Sequence, residues 1–153
     1  MRLFTASACL LLLAGVTACG GGAQRDDAGA VTEADDVAVD QLRVGDCLKT
    51  PQDGVVTDLT AIPCAQAHDG EVFHGFDLPD GEFPGDAETE RLGGQGCEQE
   101  FLGFVGTAFE DSTLELFPLT PVEEGWSAGD QSVLCIVQDP EGALVASLRG
   151  AKR

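Results

Sequence analysis

Gly125-Trp126-Ser127-Ala128-Gly129 has the G-x-S-x-G spacing of a nucleophile elbow, which would make Ser127 the attacking group of an acyl hydrolase. An elbow sits on a sharp turn between a buried strand and a helix. Here the pentapeptide follows Pro-Val-Glu-Glu and precedes an apolar stretch around Cys135 that reads as a strand. The acid and histidine should also follow the serine, whereas His68 and His74 both lie upstream. A compact hydrolase using Ser127, His68 and Asp69 would therefore have to arise by convergence of geometry. Trp126 is better read as an aromatic anchor on a turn, and no catalytic residue is assigned.

His68, Asp69, Glu71 and His74 suggest a metal cluster by type but not by spacing. On a strand the two histidines share a face but stand about 20 Å apart. On a helix they point roughly 120° apart. Asp77, Asp80, Glu82, Asp86 and Glu88 form an acidic loop that lacks the spacing of an EF-hand, and a solvated loop is the expectation. No phosphate-binding glycine loop or cofactor motif is present, so neither metal nor cofactor is expected. The residues expected to form a binding surface are His68, Asp69, Trp126 and Asp130.

The other reactive groups are cysteines. Cys19 ends the run LLLLAGVTAC, Leu10 to Cys19, behind a short n-region with Arg2 as its only charge. The apolar run is too short to span a bilayer, which takes roughly 20 residues, and glycines 20–22 end it. Val16-Thr17-Ala18-Cys19 resembles the lipobox of bacterial lipoproteins. In that reading Cys19 carries a diacylglycerol and becomes the mature N-terminus, tethered to the membrane rather than spanning it. An ordinary secretory signal cleaved near Ala18 is the competing reading. An exported chain tolerates disulfides, and Cys47, Cys64, Cys97 and Cys135 allow three pairings. Cys47 with Cys64, and Cys97 with Cys135, is the favoured scheme, the first joining neighbouring strands and the second a helix to a later strand. Zinc is the alternative, but no pair has the C-x-x-C spacing.

Composition limits the partners. The chain carries 27 acidic and 8 basic residues, a formal charge of −19, and all the acids lie beyond Cys19. Such a surface repels nucleic-acid phosphates and gives no attraction to anionic lipid. The stretch from Gly20 to Asp40 is small, acidic and poor in large apolar residues, and reads as a flexible linker that would reach on the order of 25 Å. The expected organisation is a signal peptide over residues 1–18, a lipidated N-terminus and acidic linker over 19–40, and one domain over 41–150.

Within that domain Leu42–Leu48, Val55–Val56 and Leu59–Cys64 read as strand pieces. Glu71–Phe76 alternates so that Val72, His74 and Phe76 share a face. Pro, Gly and Asp make Leu78–Asp86 a loop. A helix is predicted over Asp86–Val105, capped by Asp86, with Leu92, Cys97, Phe101, Phe104 and Val105 as its apolar stripe. Gly93, Gly94 and Gly96 weaken that helix but would permit close packing on a sheet. Leu114–Leu119 and Gln131–Gln138 are predicted strands, Ala143–Leu148 a strand returning as a hairpin, and Arg149–Arg153 a fraying end. The class is α+β: a small, mostly antiparallel sheet with one principal helix and two disulfides.

In this order, Val44-Gly45-Asp46-Cys47, Ile62-Pro63-Cys64, Ala67-His68-Asp69-Gly70-Glu71-Val72, Phe83-Pro84-Gly85, Cys97, Phe101, Val105-Gly106, Trp126, Ala128-Gly129-Asp130 and Cys135-Ile136-Val137 resemble the septum-formation domain family of bacterial envelope proteins. The resemblance spans about residues 41–137. It implies an extracytoplasmic, disulfide-linked small domain, often membrane-anchored, and brings no catalytic residues with it. The function expected from it is that of a non-enzymatic lipoprotein on the outer face of the cytoplasmic membrane, which binds an envelope or division protein or a wall component. A small-ligand or cation-binding lipoprotein is the alternative.

Overall fold

The computed structural model describes residues 22–50, 56–142 and 144–153. Cys19, Val55 and the signal segment lie outside them. Six strands form one antiparallel sheet: β1 Asp35–Ala38, β2 Cys47–Lys49, β3 Asp58–Ile62, β4 Gly70–Asp77, β5 Glu115–Leu119 and β6 Ser132–Gln138. Their order across the sheet is β1-β3-β2-β4-β6-β5. The helix α1, Asp86–Val105, packs on one face, and a short helix α2, Glu123–Ser127, lies between β5 and β6. This is the α+β class that the sequence predicts.

The longest pairing, β4 with β6, carries an irregularity that changes which side chains share a face. Val72 opposes Ile136 but His74 opposes Cys135, so Phe73 is an extra residue, a β-bulge. Simple alternation would put Val72 with His74 and Phe76; the bulge instead places Val72 in the core on the opposite face, beside Ile136. Phe73 joins the α1-side core, where its ring meets Phe101 edge-on and Phe104 at 5.2 Å. One inserted residue thus brings an aromatic side chain under the helix.

The helix has the predicted bounds. Its N-cap is Gly85, at φ 95°, and Asp86 is its first helical residue, so the capping role expected of Asp86 falls to a glycine. Thr89, Gly93, Cys97 and Phe101 recur every four residues along the buried face, followed by Phe104 and Val105. Two of the three mid-helix glycines are required by this packing. A Cβ at Gly93 would stand 2.5 Å from Thr120 Cγ2, and one at Gly96 only 2.2 Å from the Phe76 ring, whereas Gly94 faces open space. Alanine at positions 94 and 96 is therefore expected to act with opposite signs. Gly94→Ala should stabilise by up to about 1 kcal/mol through helix propensity. Gly96→Ala should cost about 1–2 kcal/mol net, because the ring must leave its packed position. Urea unfolding of the two variants checks this, and equal effects would sink the packing argument.

The sheet's other face is covered by a segment expected to be a linker. Residues 22–40 are folded onto the domain. β1 pairs along β3, from Asp35 opposite Ala61 to Ala38 opposite Asp58, and Arg25 bridges Val31 ahead of it. Val31, Val37 and Leu42 are buried with Leu48, Leu59, Ala61, Val72 and Ile136. The physical reason is that β2, β3, β4 and β6 present apolar residues on both faces, and α1 covers one face only. Leu42–Asp46, expected as strand, is instead the turn that leads this covering segment into β2.

The C-terminal end differs in the same way. After a turn at Asp139–Gly142, residue 144 does not pair back along β6, because both edges of β6 are already occupied by β4 and β5. Leu144 bridges His68 in both directions, at 3.0 and 2.8 Å. The buried Glu71 carboxylate then accepts the Leu148 N–H and the Ser147 hydroxyl, each at 2.8 Å. Residues 149–153 do not fray: Gly150 and Lys152 donate to the carbonyls of Phe104 and Val105, satisfying the open end of α1. The Arg149 guanidinium lies 4.6 Å over the Phe104 ring, and Arg153 pairs with Asp139.

Candidate functional site

The two disulfides are those the sequence favours. Cys47 joins Cys64 across a 17-residue separation, and Cys97 of α1 joins Cys135 of β6 across 38. Their Cα atoms lie 5.2 and 5.3 Å apart, within the usual range. Cys47, Cys97 and Cys135 are fully buried, and Cys64 is partly exposed. The first bond ties the β2–β3 pair to the loop beyond β3, and the second ties helix to sheet.

His68, Asp69, Trp126 and Asp130 do not form one surface. Asp69 precedes Gly70, which pairs with Gln138, while Asp130 precedes Ser132, which pairs with Asp77. The two pairs of residues therefore occupy opposite ends of the β4–β6 ladder, about 23 Å apart along the strands. Proximity could not be judged from sequence, because it depends on the direction of β6 against β4.

At one end, His68 is fully buried with Nδ1 2.8 Å from the Gln66 carbonyl. That contact makes Nδ1 the protonated nitrogen, and Nε2 has no hydrogen-bond partner among the described residues. Asp69 accepts the Thr50 N–H at 2.6 Å and its hydroxyl at 2.9 Å, with Lys49 at 3.4 Å. Both side chains are committed to holding the start of β4. At the other end, Trp126 is buried and its indole N–H donates to the Gly81 carbonyl at 2.8 Å, with Phe83 at 5.8 Å. The indole fastens the 78–85 loop to α2. Asp130 accepts the Ser132 N–H and hydroxyl and so starts β6.

Ser127 is exposed at the last position of α2, not on a turn entering a helix, and it is hydrogen-bonded to neither histidine. Among the described residues no three His, Cys, Asp or Glu side chains converge on a point that could hold a metal ion. The acids instead line shallow surface pockets. One of about 330 Å³ is bordered by Asp69, Glu115, Asp139 and Glu141, and another of about 570 Å³ by Asp86, Glu90, Glu123 and Glu124. The arrangement offers an acidic surface on a cross-linked frame.

The polar group that does most to shape this frame is Asp46, named in the sequence only as part of a motif. It is buried and accepts both guanidinium nitrogens of Arg25, at 2.5 and 2.8 Å, together with the Arg43 N–H at 2.8 Å. Hydrogen bonding to Asp46 raises the Arg25 pKa, burial opposes it, and the charge on Asp46 adds to the rise. Gly45, at φ 100°, makes the turn that aims the carboxylate. The sequence signal was Val44-Gly45-Asp46-Cys47, but its partner lies 21 residues earlier in the segment read as linker.

No curated protein and no solved structure matches the chain. A family model described as septum formation matches residues 14–152. That match spans almost the entire sequence and supports a septum-related role in the cell envelope; the protein belongs to the septum-formation family.

Proposed function

We propose that the protein is a non-enzymatic lipoprotein of the outer face of the cytoplasmic membrane, anchored through Cys19, and that it organises the division site by binding an envelope protein or wall component. The family match over residues 14–152 carries this reading. The two disulfides are compatible with an oxidising, extracytoplasmic compartment. The lipobox-like Val16-Thr17-Ala18-Cys19 supplies the anchor, with two or more acyl chains needed for stable retention. Binding rather than catalysis is favoured because His68, Asp69 and Glu71 are engaged in holding strands and loops. The test is a fluorescently tagged chain imaged in dividing cells, combined with photo-crosslinking from Leu102, an exposed apolar residue on α1. Enrichment at the septum together with a crosslinked envelope protein or wall fragment is expected. A uniform distribution with no such adduct overturns the proposal.

A further inference from the structure

Residues from Gly22 onward are folded onto the domain, well ahead of residue 41, and this changes where the domain can stand. A free coil over residues 20–40 would hold it on the order of 25 Å from the membrane. In the structure residues 22–40 are spent on the domain: Arg25 is clasped by Asp46, Val31 and Val37 are buried, and β1 extends the sheet beside β3. Between Cys19 and Gly22 there are three residue steps, which extend to roughly 10 Å at most.

Gly22 also leaves from a defined side. It borders a depression of about 430 Å³ with Arg25, Asp40, Leu42 and Arg43. Ala23 and Leu42 belong to the core on the face of the sheet opposite α1. Next to Arg43, the Val44 side chain is 53% exposed, and a Cβ at Gly75 on the same face would meet it at 3.8 Å. The α1 side lies across the sheet, with its own core and with Glu98 and Leu102 turned to solvent.

We infer that the face carrying Gly22, Arg43 and Val44 rests against the lipid bilayer, and that α1 with its outer row of charged and amide side chains is turned away from it toward the wall. This rests on the lipid anchor proposed above. The short tether, which leaves from this face, drives the contact. Headgroup attraction does not, because Arg25 is neutralised by Asp46, Asp40 shares the depression with Arg43, and the chain is strongly acidic.

The test uses full-length protein purified from membranes and placed in phosphatidylcholine vesicles that carry a headgroup spin-labelled lipid. A fluorophore is attached at Arg43→Cys or at Glu98→Cys, with mass mapping to confirm both native disulfides. Quenching several-fold stronger at position 43 than at 98 is expected. Inserting a flexible Gly-Ser segment of about 20 residues before Gly22 should remove the difference. Equal quenching at the two positions of the uninserted, vesicle-bound protein overturns the orientation while leaving the anchor intact. Absence of the acyl mass at Cys19, with no vesicle association, overturns the anchor and the orientation together.

Discussion

Replacing Arg25 with alanine is expected to destabilise the protein by about 3–5 kcal/mol, the cost of leaving a buried charge without its partner. The Asp46 carboxylate is 3% exposed and the Arg25 side chain 11%, so the variant strips a largely buried carboxylate of both guanidinium donors. Only the Arg43 N–H would remain on the carboxylate. The pair Arg91–Glu88 provides the control. It is equally short, at 2.5 Å, but both side chains are more than 40% exposed, and Arg91→Ala should leave the stability nearly unchanged. Arg25→Lys should recover only part of the loss, because an ammonium cannot make the forked contact to both carboxylate oxygens. The double variant Arg25→Met with Asp46→Leu should lie closer to the parent than Arg25→Ala does, since it removes the stranded charge as well as the pair. Urea unfolding followed by the fluorescence of Trp126, the single tryptophan, measures all four. A loss below about 1 kcal/mol for Arg25→Ala would show that residues 22–40 are not clasped as described.

The second large effect concerns the bond between helix and sheet. Cys97→Ala with Cys135→Ala should cost about 4 kcal/mol, and Cys47→Ala with Cys64→Ala about 3 kcal/mol, from the 38- and 17-residue separations in the loop-entropy model. Together these approach the entire net stability of many domains, about 5–15 kcal/mol. The reduced protein should therefore be substantially unfolded at moderate temperature. Exposure sets a further order. Cys64 is the only partly exposed sulfur-bearing residue of the four, so a thiol reductant acting on the native fold should open Cys47–Cys64 before Cys97–Cys135. Timed alkylation with peptide mass mapping reads that order. Simultaneous loss of both bonds would mean that reduction proceeds through global unfolding instead.

These expectations differ in how far they could be reached without a structure. The bounds of α1 and of the apolar strand β6 were legible because each carries a long local pattern, and local pattern is what periodicity records. The disulfide pairing could be ranked because the flanking elements were already placed. The β4 alternation misled at Phe73, since a bulge is defined by the partner strand and leaves no mark on the strand that bears it. The linker reading failed at Arg25, Val31 and Val37. In a stretch so rich in Asp, Ala and Gly, a few side chains, with Arg25, Val31 and Val37 foremost, do the docking, and average composition hides them. The fraying end failed for a similar reason: Gly150 and Lys152 attach by backbone donors, which side-chain identity does not reveal.

By itself the sequence determined the class of fold, the helix that carries Cys97, the four cysteines available for cross-linking and the lipobox-like run that ends at Cys19. All of these depend on neighbours within one element or on covalent chemistry. The tertiary structure decided that His68 and Trp126 stand at opposite ends of the sheet, that Asp46 is the acceptor for Arg25, and that the chain between residues 22 and 40 is a wall of the domain. Each of those is a contact between residues distant in the chain. Its free energy comes from burying one element's unmatched charge or apolar face against another, and neither partner displays that until the sheet has formed.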